Sequence, residues 1–495
     1  MTTSPAHPAF ARGASSTDSA IRSDTDVLRA IVILAGIGWS IAFVVIGLRY
    51  QLQLYGDGAM FSYSVAVQDV WAFHWHNISG RLTPYLLSLG PAEAFVALTG
   101  SPGGGIVVYG LLFSAMPLLG LLATLAADRS TGRIIFTFAC GSTAVLGPMV
   151  FGFPTEMRMA HALFWPALAV AHYAGRGIGG IALVLVALLA LVFSHEGGFV
   201  LAGAILATLL LRGTRDPAFL RATVSLTVAI VIWVAVKVIW PPGPYFADVY
   251  VRAALDFFDI DILRSNLLLL LIAAIAAFAL AIPILAKFAP ARAPIYAALV
   301  VAAALAIYWL WFDHELHAGN RYYMRTVLML LTPVFGIPAA LFALDADGQL
   351  LLAKPVLSRV MDFARQVPAR AIAATFLLVM LVHTVETAKF VNAWTNYKAA
   401  VRELATGAAS DPALGDPRFV SSARIGADLN RLSWFSTTQY LSVIVANFAP
   451  TRLVIDPTSN YFWLSCATAT KNYDAERAVP RETRALVRTY TCLHR

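Results

Sequence analysis

Most side chains able to do acid–base or phosphate chemistry in this chain fall in one of two alternating sets of connectors. Long apolar runs alternate with short polar links. One set of links holds Asp57, His74, His76, Glu156, Arg158, His195, Glu196, Asp313, His314, Glu315, His317, Arg321 and Arg325. The other set carries mainly Arg and Lys. Carboxylates and imidazoles serve as general acids and bases, and the guanidinium fork matches phosphate oxygens. Collected at one face, such groups suit a membrane enzyme. A transporter spreads its ionisable groups through the midplane.

Gly56-Asp57-Gly58 opens the stretch AMFSYSVAVQDVWAFHWHN. Its aromatic, partly amphipathic pattern predicts a helix over about residues 58–76 lying in the membrane interface. Asp57 heads that helix, as an N-cap, as a general base, or as both. His74 and His76 close it as interfacial anchors or substrate contacts. Glu156 and Arg158 either pair at the surface or leave Arg158 to hold a phosphate. Ser194-His195-Glu196-Gly197-Gly198 joins two short apolar runs, so His195 and Glu196 lie near membrane depth. Ionisable groups are costly there and point to a site.

In Asp313-His314-Glu315-Leu316-His317 the spacing is not HExxH. His314 and His317, at i, i+3, remain a candidate pair for a divalent metal, and no cofactor is otherwise implied. Arg321 and Arg325 are four apart and share a face if helical. They form a candidate phosphate clamp, or else ordinary interfacial anchors. Asp345-Ala346-Asp347 looks like a sugar-nucleotide metal motif but falls among the Arg- and Lys-rich links.

These links are positioned by apolar helices. The chain has 495 residues, 59% hydrophobic and only 13% charged, with a mean hydropathy of +0.71. That balance belongs to multi-pass membrane proteins. The net charge of +8 is scattered at span ends, which argues against nucleic acid. About eleven runs reach or approach span length: Val27–Tyr50, Gly104–Ala127, Ile134–Phe153, Met159–Ala174, Ile178–Ser194, Phe199–Leu211, Ala222–Trp240, Asn266–Ala286, Ala293–Trp311, Thr326–Leu344 and Ala371–Ala388. Thr83–Leu98, broken by Gly90 and Pro91, reads as re-entrant or interfacial. With the N-terminus inside, the cytoplasmic links carry Arg129, Arg133, Arg176, Arg212, Arg215, Arg221, Lys287, Arg292 and Arg370, as the positive-inside rule asks.

The expected fold is therefore an all-α polytopic membrane protein with a small α/β external C-terminal domain. Residues 1–26 form a disordered cytoplasmic tail, 27–388 the transmembrane domain and 389–495 the external domain. In that last domain Val391–Leu404 looks helical, Tyr440–Ala446 is an apolar β-branched run, and strands are expected around Leu453–Ile455 and Tyr461–Leu464. Cys466 and Cys492 fall on the external side, where a disulfide is allowed, the alternative being two free thiols. Cys140 reads as an inert packing residue.

An acidic residue just after the first span, at the head of a helix in the first external loop, resembles the GT-C superfamily of membrane glycosyltransferases. The resemblance covers Val27 to about Ala388 as architecture and Gly56–His76 as local sequence. Many members carry a pair of acidic residues here, whereas this chain has one, flanked by glycines. The resemblance implies a polyprenyl-phosphate-linked sugar donor and an envelope glycan, lipid or protein acceptor. Asp57 would be the base. Arg158, Arg321 and Arg325 would hold the phosphate, with His195, Glu196 and His317 as further donor contacts. A bacterial inner membrane with a periplasmic C-terminal domain is the matching location. An envelope-polysaccharide ligase or polymerase, and a flippase of lipid-linked sugar, are the alternative expectations.

Overall fold

The computed structural model describes residues 16–72, 81–151, 154–241, 266–313, 321–351, 354–407, 417–434 and 437–456. These are mostly helical. The main helices are α1 (Ser16–Tyr50), α2 (Asp57–Ala66), α3 (Gly90–Thr99), α4 (Pro102–Ala127), α5 (Ile134–Leu146), α6 (Glu156–Tyr173), α7 (Ile178–Val192), α8 (Gly197–Leu210) and α9 (Pro217–Ile239). They continue with α10 (Asn266–Ala286), α11 (Ala293–Trp311), α12 (Arg321–Ala346), α13 (Lys354–Arg365), α14 (Ala369–Thr406) and α15 (Thr438–Val445). Among the described residues, seven helices are long and apolar enough to cross a membrane, within α1, α4, α9, α10, α11, α12 and α14. Helices α5, α7 and α8 are apolar but shorter. Leu34, Val231 and Leu310 are exposed by 70%, 61% and 69%. Side chains of that kind along whole helix faces suit lipid rather than water.

The bundle has two unlike ends. At one, short polar side chains tie off the helices. Asp128 accepts from Ser130 N–H and from Phe136 N–H, satisfying an otherwise orphaned donor in the first turn of α5. Asp347 accepts from Thr131 N–H and Tyr173 O–H, Asp345 pairs with Arg365 at 2.6 Å, and Asp24 pairs with Arg370 at 2.8 Å. At the other end the first connector and the C-terminal segment pack together. There Trp394 Nε1 and Lys398 Nζ both donate to Tyr50 O. Since Asp24 meets Arg370 while Tyr50 meets Trp394, α1 and α14 run parallel.

The helix headed by Asp57 forms, but it differs from the interfacial helix expected over 58–76. It ends at Ala66, where Gln68 turns the chain with a φ of 56°. Residues Gly58 to Ala66 are buried throughout. One side faces α4 and the other is covered by α15, with the rings of Tyr63 and Tyr440 5.3 Å apart. A helix apolar around its circumference belongs in a core, and the C-terminal segment supplies the missing wall. His74 and His76 lie outside the described residues.

Three further expectations meet the structure here. Gly90 and Pro91 do not break the helix over Thr83–Leu98. A π turn at Tyr85–Leu89 leads straight into α3, which accommodates the proline's missing N–H. The expected boundary at residue 389 falls inside α14, which runs unbroken for 38 residues. The β-branched run Tyr440–Ala446 lies largely in helix α15, while Leu453–Ile455 is a strand pairing in parallel with Phe419–Ser421. Tyr461–Leu464, Cys466 and Cys492 lie outside the described residues. Among its described residues the C-terminal segment shares a core with the first connector: Trp394, Tyr397 and Tyr440 lie in one cluster with Tyr55, Met60 and Tyr63.

The glycines around Asp57 have distinct reasons. Gly56 adopts φ 58°, ψ −133°, a conformation closed to other residues. A Cβ on Gly58 would fall 2.0 Å from Gln53 O and 2.4 Å from Pro154 Cγ, so the start of α2 sits directly on the link before Glu156. We predict that Gly58→Ala destabilises the protein by about 1–3 kcal/mol through overpacking, read as a lower unfolding temperature in detergent. An unchanged temperature would show that this contact does not hold α2.

Candidate functional site

The site begins with two carboxylates placed by helix starts. Glu156 stands in the first turn of α6, whose N-cap Thr155 accepts from Met157 N–H. Glu196 is the N-cap residue of α8. Helix N-termini favour negative charge. Helices α7 and α8 contain 15 and 14 residues, so at about 1.5 Å per residue they fall short of the roughly 30 Å hydrocarbon core. The link carrying His195 and Glu196 is largely enclosed, with side chains only 12% and 13% exposed.

Arg81 joins these carboxylates. Its Nη1 lies 2.9 Å from Glu156 Oε1 and its Nη2 2.7 Å from Glu196 Oε2, with Nε donating to the same oxygen at 3.2 Å. Arg81 and Glu156 are only 6% and 5% exposed. Thr83 fixes this segment to the end of α7: its N–H donates to Phe193 O and its hydroxyl to Ala190 O. Burial alone would lower the pKa of the Arg81 guanidinium, but Glu156 and Glu196 override it and push the value above its ordinary range. Burial would likewise raise that of Glu196, but Arg81 holds it well below the usual carboxylate range.

His195 Nδ1 lies 3.0 Å from Gly197 N and 3.6 Å from Glu196 Oε2, so the ring sits between the head of α8 and that carboxylate. Tyr109, buried in α4, lies within electrostatic reach of Glu156, Asp57 and Arg158. Lys237, in the last turn of α9, is within reach of Glu196 and Arg81.

The structure thus draws Asp57, Glu156, Arg158, His195 and Glu196 to one end of the bundle. It also changes how they pair. Glu156 and Arg158 do not form the surface pair weighed above, because both are buried. Glu156 turns to Arg81. Arg158 donates to Val150 O and lies over the rings of Phe43 and Phe113, at 4.7 and 5.8 Å. Arg321 and Arg325 lie on the opening turns of α12, so the helical premise of the clamp holds for the backbone. Met329, one turn after Arg325, packs beside Gly197. Asp313 belongs to a second cluster: Lys389 Nζ bonds to it and lies 3.9 Å from Glu386 Oε1, which accepts from Trp309 Nε1 at 2.8 Å. His314, Glu315 and His317 fall outside the described residues. Among the described residues, no three His, Cys, Asp or Glu side chains are grouped to hold a metal ion.

Sequence reasoning missed Arg81, Tyr109 and Lys237. The signal for Arg81 was a cation at the start of an apolar segment in a connector otherwise poor in cations. Against protein-family models and against curated proteins, the chain has no match.

The network gives a pH prediction with a definite sign. In the native protein the depressed Glu196 pKa contributes stability that is present above the ordinary carboxyl range. It is lost only as pH falls through the lower folded value. Arg81→Met removes the cation and leaves two buried carboxylates, whose pKa values then rise. The variant should lose about 3–5 kcal/mol at neutral pH and recover part of it on going from about pH 8 to about pH 5. Unfolding temperatures of both proteins at the two pH values check this. A variant as stable as the native protein at the higher pH would refute the clamp.

Proposed function

We propose that the protein is a membrane-embedded glycosyltransferase that takes its sugar from a polyprenyl-phosphate carrier. The observation that carries this reading is the placement of Asp57. It heads a helix held rigidly in the first connector, at the same end of an apolar bundle as the largely enclosed Arg81–Glu156–Glu196 network. A half-buried carboxylate on a fixed helix start suits a general base that deprotonates an acceptor hydroxyl. Arg321 and Arg325, one turn apart at the head of α12, would hold the donor phosphate, with Arg158 adding positive potential from below. His195 would contact the sugar or phosphate. Glu196, already engaged by Arg81, would position that imidazole rather than touch substrate.

In this reading about eleven helices cross the membrane, α1, α4 to α12 and α14, with the shorter ones tilted or recessed. The Arg- and Lys-rich links then face the cytoplasm. The parallel course of α1 and α14 supports an odd number of crossings and an external C-terminal segment. A bacterial inner membrane, and an envelope glycan, lipid or protein as acceptor, complete the proposal. An envelope ligase or polymerase differs in taking a diphosphate-linked oligosaccharide.

The test is transfer by the purified protein from a panel of polyprenyl-phosphate sugars. Gly56, not Asp57, is the N-cap of α2, so Asp57→Asn is nearly isosteric at the first helical position; it removes the base and should lower transfer by about 10²–10⁴-fold with donor binding retained. Full activity in a correctly inserted Asp57→Asn protein would remove Asp57 from this role. Binding of diphosphate-linked oligosaccharides alone would favour the ligase or polymerase.

A further inference from the structure

Helices α1 and α14 run side by side, tied at each end and touching midway, where Trp39 Nε1 donates to Met380 Sδ at 3.2 Å. The Asp24–Arg370 pair closes one end, and the bonds from Trp394 and Lys398 to Tyr50 O close the other. Between these lies an open groove of about 810 Å³. Its α1 wall is mostly apolar, with Ala35, Gly38, Trp39, Ala42 and Ile46, and the facing α14 wall sets Met380, Ala388 and Val391 among Thr384 and Thr387. A Cβ on Gly38 would meet nothing within 4 Å. Toward the network end the lining turns polar, through Tyr50, Asn392 and Thr395.

Charge follows the same gradient. Lys398 stands one turn beyond Thr395 and binds Tyr50 O and Gln51 Oε1, at 2.7 and 3.1 Å. Arg49 is exposed in the last turn of α1. Among the described residues no carboxylate lines the groove. A mainly apolar channel whose polar end lies next to Lys398 has the polarity of a single-chain lipid site. A second protein helix would not need the cationic end.

We propose that this groove binds one acyl chain of an anionic glycerophospholipid, whose phosphodiester headgroup sits at Tyr50, Asn392 and Thr395 beside Lys398 and Arg49. The apolar stretch takes the chain through dispersion and desolvation, and the cations select the headgroup charge. This site is separate from Asp57 and Arg81, and the inference does not rest on glycosyl transfer.

The experiment reconstitutes the full chain in bilayer discs of about nine phosphatidylcholine to one phosphatidylglycerol, the anionic fraction being low enough to reveal selection. The protein is then re-extracted in mild detergent, and retained lipid is counted by native mass spectrometry. The expected result is one phosphatidylglycerol per chain, enriched several-fold over the bulk ratio. Gly38→Leu fills open space without a core clash and should abolish retention with an unchanged unfolding temperature. Lys398→Gln should leave lipid bound but erase the preference for phosphatidylglycerol. Retention at the bulk ratio, or retention unaffected by Gly38→Leu, would overturn the proposal. So would a native dimer that Gly38→Leu converts to monomer without changing bound lipid, since the groove would then be seated by a second copy.

Discussion

The rest of the site depends on one guanidinium. Arg81 holds Glu156 and Glu196, and so holds the heads of α6 and α8 against the segment that leads into α3. Taking an ion out of water costs several kcal/mol, and its return depends on geometry and on remaining hydrogen bonds. Here Glu196 takes two of the five Arg81 N–H groups, and Glu156 adds an ion pair at 2.9 Å. Two carboxylates and one guanidinium leave a negative charge over, and Lys237 lies within reach to balance it. Among the described residues, this largely buried set of opposite charges forms a fixed frame.

Why the acids gather at this end follows from the antiparallel packing. Helices α2, α6 and α8 begin there, and Asp57, Glu156 and Glu196 occupy their N-cap or first turn. Helix α9 finishes there, and Lys237 occupies its last turn. Each charge therefore has the sign that its helix terminus favours. The dipoles add to the direct pairs and lessen the cost of keeping ions where water is scarce. The same logic at the opposite end puts Asp128 against the first N–H groups of α5.

Much of this was legible in the sequence because ionisable groups inside apolar stretches are few. Asp57, Glu156, Arg158, His195 and Glu196 each stood out for that reason, and the helical backbone over Arg321–Arg325 was the premise read from their spacing. What was not legible depended on contacts across long stretches of chain. The pairing of Arg81 with Glu196 spans 115 residues, and no local pattern announces it. The burial of α2 likewise depends on Tyr440, so its aromatic pattern read as a membrane interface when its outer face was in fact awaiting a protein wall. The β-branched run at Tyr440–Ala446 folds largely as helix because it packs against that helix and α14, and tertiary packing outweighs a modest strand propensity. Pro91 looked like a break, but a π turn before it absorbs the missing donor.

These long-range contacts also set an order on assembly. Asp57 is placed by Gly58 resting on Gln53 O and Pro154, and α2 is walled by α15 from the far end of the chain. Tyr55 packs against Phe390 and Trp394, with ring centroids 5.1 and 5.4 Å apart. The first connector can therefore adopt its final form only after α14, the last long helix, has come alongside α1. Contacts so distant in sequence carry a large loop-closure cost before they return any stabilisation.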